Sequence, residues 1–115
     1  MWVKVNGKQS KCLLLHIKKQ WYDMILSGEK KEEYRAFRTY YQRSFEGLGL
    51  YPIDNCERYI LFRNGYSSDS PQFVARCGIG IGEGKPEWGA EEGEMYYILK
   101  IKEILIPEEV ITETV

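Results

Sequence analysis

Histidine is almost missing from this chain: His16 is the only one in 115 residues. A histidine-based metal cluster is therefore excluded, and any Ser-His-Asp arrangement would have to be built on His16. No G-x-S-x-G nucleophile elbow is present. The three cysteines, Cys12, Cys56 and Cys77, are odd in number and far apart, with no paired-ligand spacing. They read as free thiols, buried or half-buried, and point to a reducing, cytoplasmic compartment. No apolar run approaches the ~18 residues of a membrane span, and the opening MWVKVNGKQSK lacks the apolar stretch of a signal peptide. Phosphate loops are missing as well. Gly78, Gly80, Gly82 and Gly84 alternate along one stretch, but G-x-G-x-x-G needs a glycine where Glu83, Lys85 or Glu87 stands. Gly84-Lys85 leads into Pro86 rather than Ser or Thr, so there is no Walker loop either. Nothing in the pattern calls for a cofactor or a metal.

What is present suffices for one domain, residues 1–115, with its core expected over about 12–106. Apolar residues make up 43% of the chain, enough to bury a core without disulfides or metal. The net charge of −1 conceals an asymmetry: residues 1–63 hold 12 Lys and Arg against 7 acids, and the remainder 4 against 10. A basic face built from the N-terminal half is therefore permitted. Acids concentrated in the C-terminal half leave a protein partner open as well.

The periodicity alternates between short strands and short helices. Leu13–Lys18 reads as a buried strand, and Gln20–Ser27 as a helix with Trp21, Met24 and Ile25 on one side, stopped by Gly28. Lys30–Phe37 reads as a charged edge strand. Thr39–Glu46 reads as a second helix, with Thr39 and Gln42 at capping-box spacing and Gly47 after its last turn. A loop with Pro52 precedes the strand Arg58–Arg63, and NGYSSDSP is turn chemistry. From Phe73 the pattern has period two, with strand glycines giving places to bend or to admit a neighbour. A polar loop, Gly84–Glu94, carries Trp88; Met95–Ile106 forms a long last strand, and the tail after Pro107 reads as frayed. The expected fold is α+β, a small curved mixed β-barrel of about five strands with two short helices.

Chemistry concentrates beside the first helix. In GEKKEEYR, alternation places Lys31, Glu33 and Arg35 on one strand face, where a carboxylate between cations stays ionised and can orient an arginine. Tyr40, Tyr41 and Tyr66 stand in polar company. An aromatic ring among cations can stack a base while the cations hold phosphate. Lys18, Lys19, Lys30, Lys31, Arg35, Arg38 and Arg43 supply the cations. His16, in an apolar strand, fits a satisfied core or cleft position.

A strand ending His-Ile-Lys, the helix WYDMILSG and then GEKKEEYR resemble the opening of an ASCH domain (activating signal cointegrator homology) of the PUA-like barrel superfamily. The family hallmark resembles G-x-K-x-x-E-x-R, matched by Gly28, Lys30, Glu33 and Arg35, with Lys31 where Thr is usual. RYILFR, FVARCGIGI and EMYYILKIKEIL follow the family's strand order over essentially the whole chain, and Thr39–Glu46 falls where the family varies. The resemblance implies a curved barrel with a cleft beside the first helix that binds RNA or modified nucleotides. Lys30, Glu33 and Arg35 would lie at the cleft with Lys18 close by, and Tyr40, Tyr41 or Tyr66 would stack a base. It also implies enzymatic alternatives at the same cleft, in which Lys30, Glu33 and Arg35 are the catalytic candidates. One is ribonuclease action. The other is nucleoside amidohydrolysis, in which a Lys precedes a nucleophilic Thr by three residues; that position here is Glu33. A protein-interaction module is the remaining alternative.

Overall fold

A computed structural model describes residues 1–112. The chain runs β1 (Trp2–Val5), β2 (Lys8–His16), α1 (Lys19–Leu26), β3 (Glu32–Ala36), α2 (Thr39–Leu48), β4 (Arg58–Arg63), β5 (Gln72–Glu83), β6 (Met95–Leu105) and β7 (Glu109–Ile111). A 3₁₀ turn, Pro86–Trp88, lies between β5 and β6. The described strands form one mixed seven-stranded sheet in the order β3-β6-β5-β4-β2-β1-β7. The fold is α+β, as expected, but the sheet has seven strands rather than five. Its terminal strands, β3 and β7, do not pair, so the ladder remains open. No helix among the described residues is long and apolar enough to cross a membrane.

The additional strands come from both ends of the described chain. Asn6 and Gly7 both take positive φ (52° and 76°), the conformation of a two-residue hairpin turn, and fold β1 antiparallel onto the start of β2. β7 then pairs with the other edge of β1. Residues Glu109–Ile111 are thus a strand where a frayed tail was expected. β2 changes partner midway, from β1 over Lys8–Lys11 to a parallel pairing with β4 over Cys12–His16.

Apolar side chains cover both faces of the central strands. On one face, Leu15, Ile60, Phe62, Phe73, Ala75 and Leu99 pack under Ile25 of α1 and Phe45 of α2. On the other, Val3 and Val5 fold over Cys12, Leu61 and Val74. Burial on both faces explains why β4 reads as a continuous apolar run instead of alternating. The thiols of Cys12 and Cys77 are buried and that of Cys56 half-buried, all three free.

The second helix departs from its expected ends. Arg38 occupies the N-cap without a side-chain bond, and Gln42 bonds Glu46 instead of the helix start. The helix continues through Gly47 and stops at Gly49, whose φ of 88° supplies the left-handed cap.

Candidate functional site

The site is assembled where α1 ends and the edge strand β3 begins. Gly28 takes a φ of 86°, turning the chain back so that the Lys30 amide bonds the Met24 carbonyl at 2.9 Å. That turn drives the Lys30 side chain inward until only 1% of the residue is exposed. Its ammonium meets Glu33 Oε1 at 2.9 Å, donates to the Trp88 carbonyl and lies 4.3 Å from the centre of the Trp21 ring. A buried ammonium is tolerable only with such partners. Burial still pulls its pKa below the ordinary lysine value, against the opposing pull of Glu33.

Glu33, buried on β3 opposite Leu99 of β6, joins two cations. Its Oε1 takes Lys30, and its Oε2 accepts from Arg35 Nη2 at 2.9 Å. The same Nη2 donates to the His16 backbone carbonyl at 2.9 Å, tying β3 to the end of β2. One carboxylate between two cations leaves this cluster with an excess of one positive charge.

The loop after β5 borders the site. Tyr34 donates its hydroxyl to Glu32 at 2.8 Å and accepts the Lys85 amide at 3.0 Å, pinning the loop after β5 onto β3. Burial pushes the Tyr34 phenol far above its ordinary value. Gly89, at a φ of 102°, closely approaches Trp21: a Cβ there would stand 2.9 Å from the indole. Together these elements leave a cleft of about 320 Å³. Lys30, Glu33 and Arg35 form its base; Trp21, Tyr34, Tyr41 and Trp88 form its aromatic walls. The volume lies within the ~300–1,000 Å³ typical of small-molecule sites.

The expected residues do not all gather there. Lys18 stands exposed at the rim. Tyr41 lines a wall, its ring 5.9 Å from the Arg35 guanidinium and 5.6 Å from that of Arg38. Tyr40 is exposed and only meets Tyr41 edge-on. Lys31 faces a separate small hollow with Ile25 and Ile101. Because β3 begins only at Glu32, the alternation expected for Lys31, Glu33 and Arg35 does not reach Lys31. Lys19 pairs with Asp23 along α1. Tyr66 lies in an adjoining hollow, its ring 4.5 Å from that of His16.

Trp21, Tyr34 and Trp88 are cleft residues that sequence reasoning did not select. Periodicity places Trp21 on the core side of its helix, and the residue does pack against the core while also lining the cleft. Trp88 offered the better signal, since a lone tryptophan in a loop of glycines and acids has no core to fill. Among the described residues, no group of three or more His, Cys, Asp or Glu side chains is positioned to hold a metal. Comparison with protein-family models, with curated proteins and with solved structures found no match to this chain.

Proposed function

We propose that the cleft binds a nucleotide, presented as single-stranded RNA or as a modified nucleotide, as in an ASCH-like, PUA-like domain. The observation that carries this reading is the buried Lys30–Glu33–Arg35 cluster beneath aromatic walls. The roles divide by chemistry. Indole and phenol rings stack a base, at about 1–3 kcal/mol per base. The positive excess of the cluster, with Lys18 at the rim, attracts the phosphate. Arg35 has committed one terminal nitrogen, so its planar fork still has donors for an anion or a base edge. Lys30, with its contacts already made, serves to hold Glu33 and Trp88 in place.

A second reading, ribonuclease or nucleoside amidohydrolase action, is favoured by the lowered pKa of buried Lys30, the type of group used in proton transfer. Against it, both Glu33 oxygens are held by cations, which leaves the carboxylate a poor nucleophile. Binding without cleavage is therefore the stronger reading.

The test is fluorescence anisotropy with a labelled mixed-sequence RNA octamer at about 50 and 200 mM salt, the mixture then run on a denaturing gel. Saturable, salt-sensitive binding of intact RNA is expected. Trp88→Ala deletes the ring but keeps the backbone carbonyl that Lys30 needs, so it isolates stacking; binding should weaken about 5- to 100-fold. Shortened RNA would establish the second reading. If Trp88→Ala and Arg35→Lys both bind like wild type, the cleft is not the site.

A further inference from the structure

A second hollow, of about 430 Å³, opens beside the cleft and shares His16, Ile17 and Lys18 with it. We propose that this hollow is a second base subsite, so that the ligand of the cleft is a strand of at least two linked nucleotides, not a free nucleoside. The inference rests on the nucleotide reading above and specifies its substrate class.

Tyr66 carries the argument. It is 87% exposed, so its ring is not there to fill a core. It lies on the His16 imidazole, with ring centres 4.5 Å apart and planes tilted by 34°. The loop beneath it is anchored at several points. His16 Nδ1 donates to the Gly65 carbonyl at 2.8 Å, Asn64 Nδ2 donates to the Ile17 carbonyl, and the Asn64 amide bonds the Pro71 carbonyl. Gly65 permits this shape: its φ is 126°, and a Cβ would collide with Ser70. A solvent-facing aromatic carried on an anchored loop is a surface on which an unstacked base is received at low entropic cost.

The charges match a phosphodiester running between the two hollows. Lys18 belongs to the lining of both and has no ion-pair partner among the described residues. No acidic side chain among the described residues lines the second hollow. The His16–Gly65 bond commits Nδ1, leaving Nε2 as the remaining polar atom of the ring on the boundary between the subsites. One base would stack among the tryptophans, the next on Tyr66, with the linking phosphate beside Lys18.

The experiment titrates the four common nucleoside 5′-monophosphates and the sixteen ribodinucleoside monophosphates into the full chain by calorimetry. The best dinucleotide should bind about 5- to 100-fold more tightly than either of its component mononucleotides. In Tyr66→Ala that ratio should fall to about one, and in Tyr66→Phe it should persist; the exposure of Tyr66 makes both variants safe for folding. Mononucleotide binding without a dinucleotide gain, or a gain that survives Tyr66→Ala, overturns the second subsite and leaves the nucleotide reading standing. Absence of binding by every probe overturns the second subsite, and the octamer titration above then decides the nucleotide reading.

Discussion

Lys30 shows how far a single side chain can be read from its neighbours in sequence. The motif around it marks a charged site, but its burial depends on the Gly28 turn and on the Trp88 carbonyl, 58 residues away in sequence. The second contact is not encoded locally, which explains why a point charge for phosphate became a buried pillar. Lys30→Met, which keeps the volume but removes the charge, should cost about 3–5 kcal/mol in urea unfolding, because Glu33 and the Trp88 carbonyl lose a partner without regaining water. A loss below about 1 kcal/mol would contradict the burial. The thiols supply a second residue-scale test. Burial pushes Cys12 up to about 11, and Cys77 and Tyr34 are raised further. Groups whose folded pKa is raised contribute stability in full below their unfolded value and lose it as pH rises. Lys30, lowered, acts in the opposite sense as its unfolded form titrates. The raised groups outnumber it, so stability should fall between about pH 9 and 11. Cys12→Ala should flatten that fall by on the order of 2–3 kcal/mol, measured by urea unfolding at both ends of the window.

Among the elements, those defined by local periodicity were legible and those defined by distant pairing were not. Both helices, β4, β5 and β6 follow from spacing alone. The hairpin of β1 carried a signal that could have found it, since Asn6-Gly7 is among the strongest two-residue turn pairs. β7 carried little: three residues after a proline become a strand because β1 offers them an edge. At α2, Gly47 looked like the stop, but the helix passes through it to bury Leu48 and end at Gly49. The loop bordering the cleft follows the same logic, because a glycine against an indole is visible only in three dimensions. Gly89→Ala would adopt an unfavourable φ and push on Trp21, costing about 1–3 kcal/mol and weakening RNA binding. Gly93→Ala is the control: it has positive φ but open space around it, so it should cost about 1–2 kcal/mol with no effect on affinity. Thermal melts and anisotropy on the two variants make the comparison. Equal effects on affinity would mean that the loop does not shape the cleft.

At the scale of the whole molecule, the sheet separates the smaller of its two apolar clusters from the candidate site. The cleft lies at the junction of α1, β2, β3 and the β5–β6 loop, whereas Val3, Val5, Leu61 and Val74 pack on the opposite face. Val3→Ala removes two buried methyl groups and should cost roughly 2 kcal/mol without altering ligand affinity. Affinity that falls with Val3→Ala under conditions where the protein remains folded would show that the faces are coupled. The α+β class and the edge position of β3 could be read in advance. The open seven-stranded ladder could not, because strand number here depends on how β2 divides its length between β1 and β4.

The central claim, that the cleft between α1 and β3 receives the ligand, is tested most directly by titrating the RNA octamer into isotope-labelled protein and following each amide and indole resonance by NMR. The account predicts that the indoles of Trp21 and Trp88 and the amides of Arg35, Tyr41 and Lys18 shift together and saturate. Shifts confined to the distant hollow lined by Lys11, Arg58 and Arg76, or no shifts at all, would contradict it.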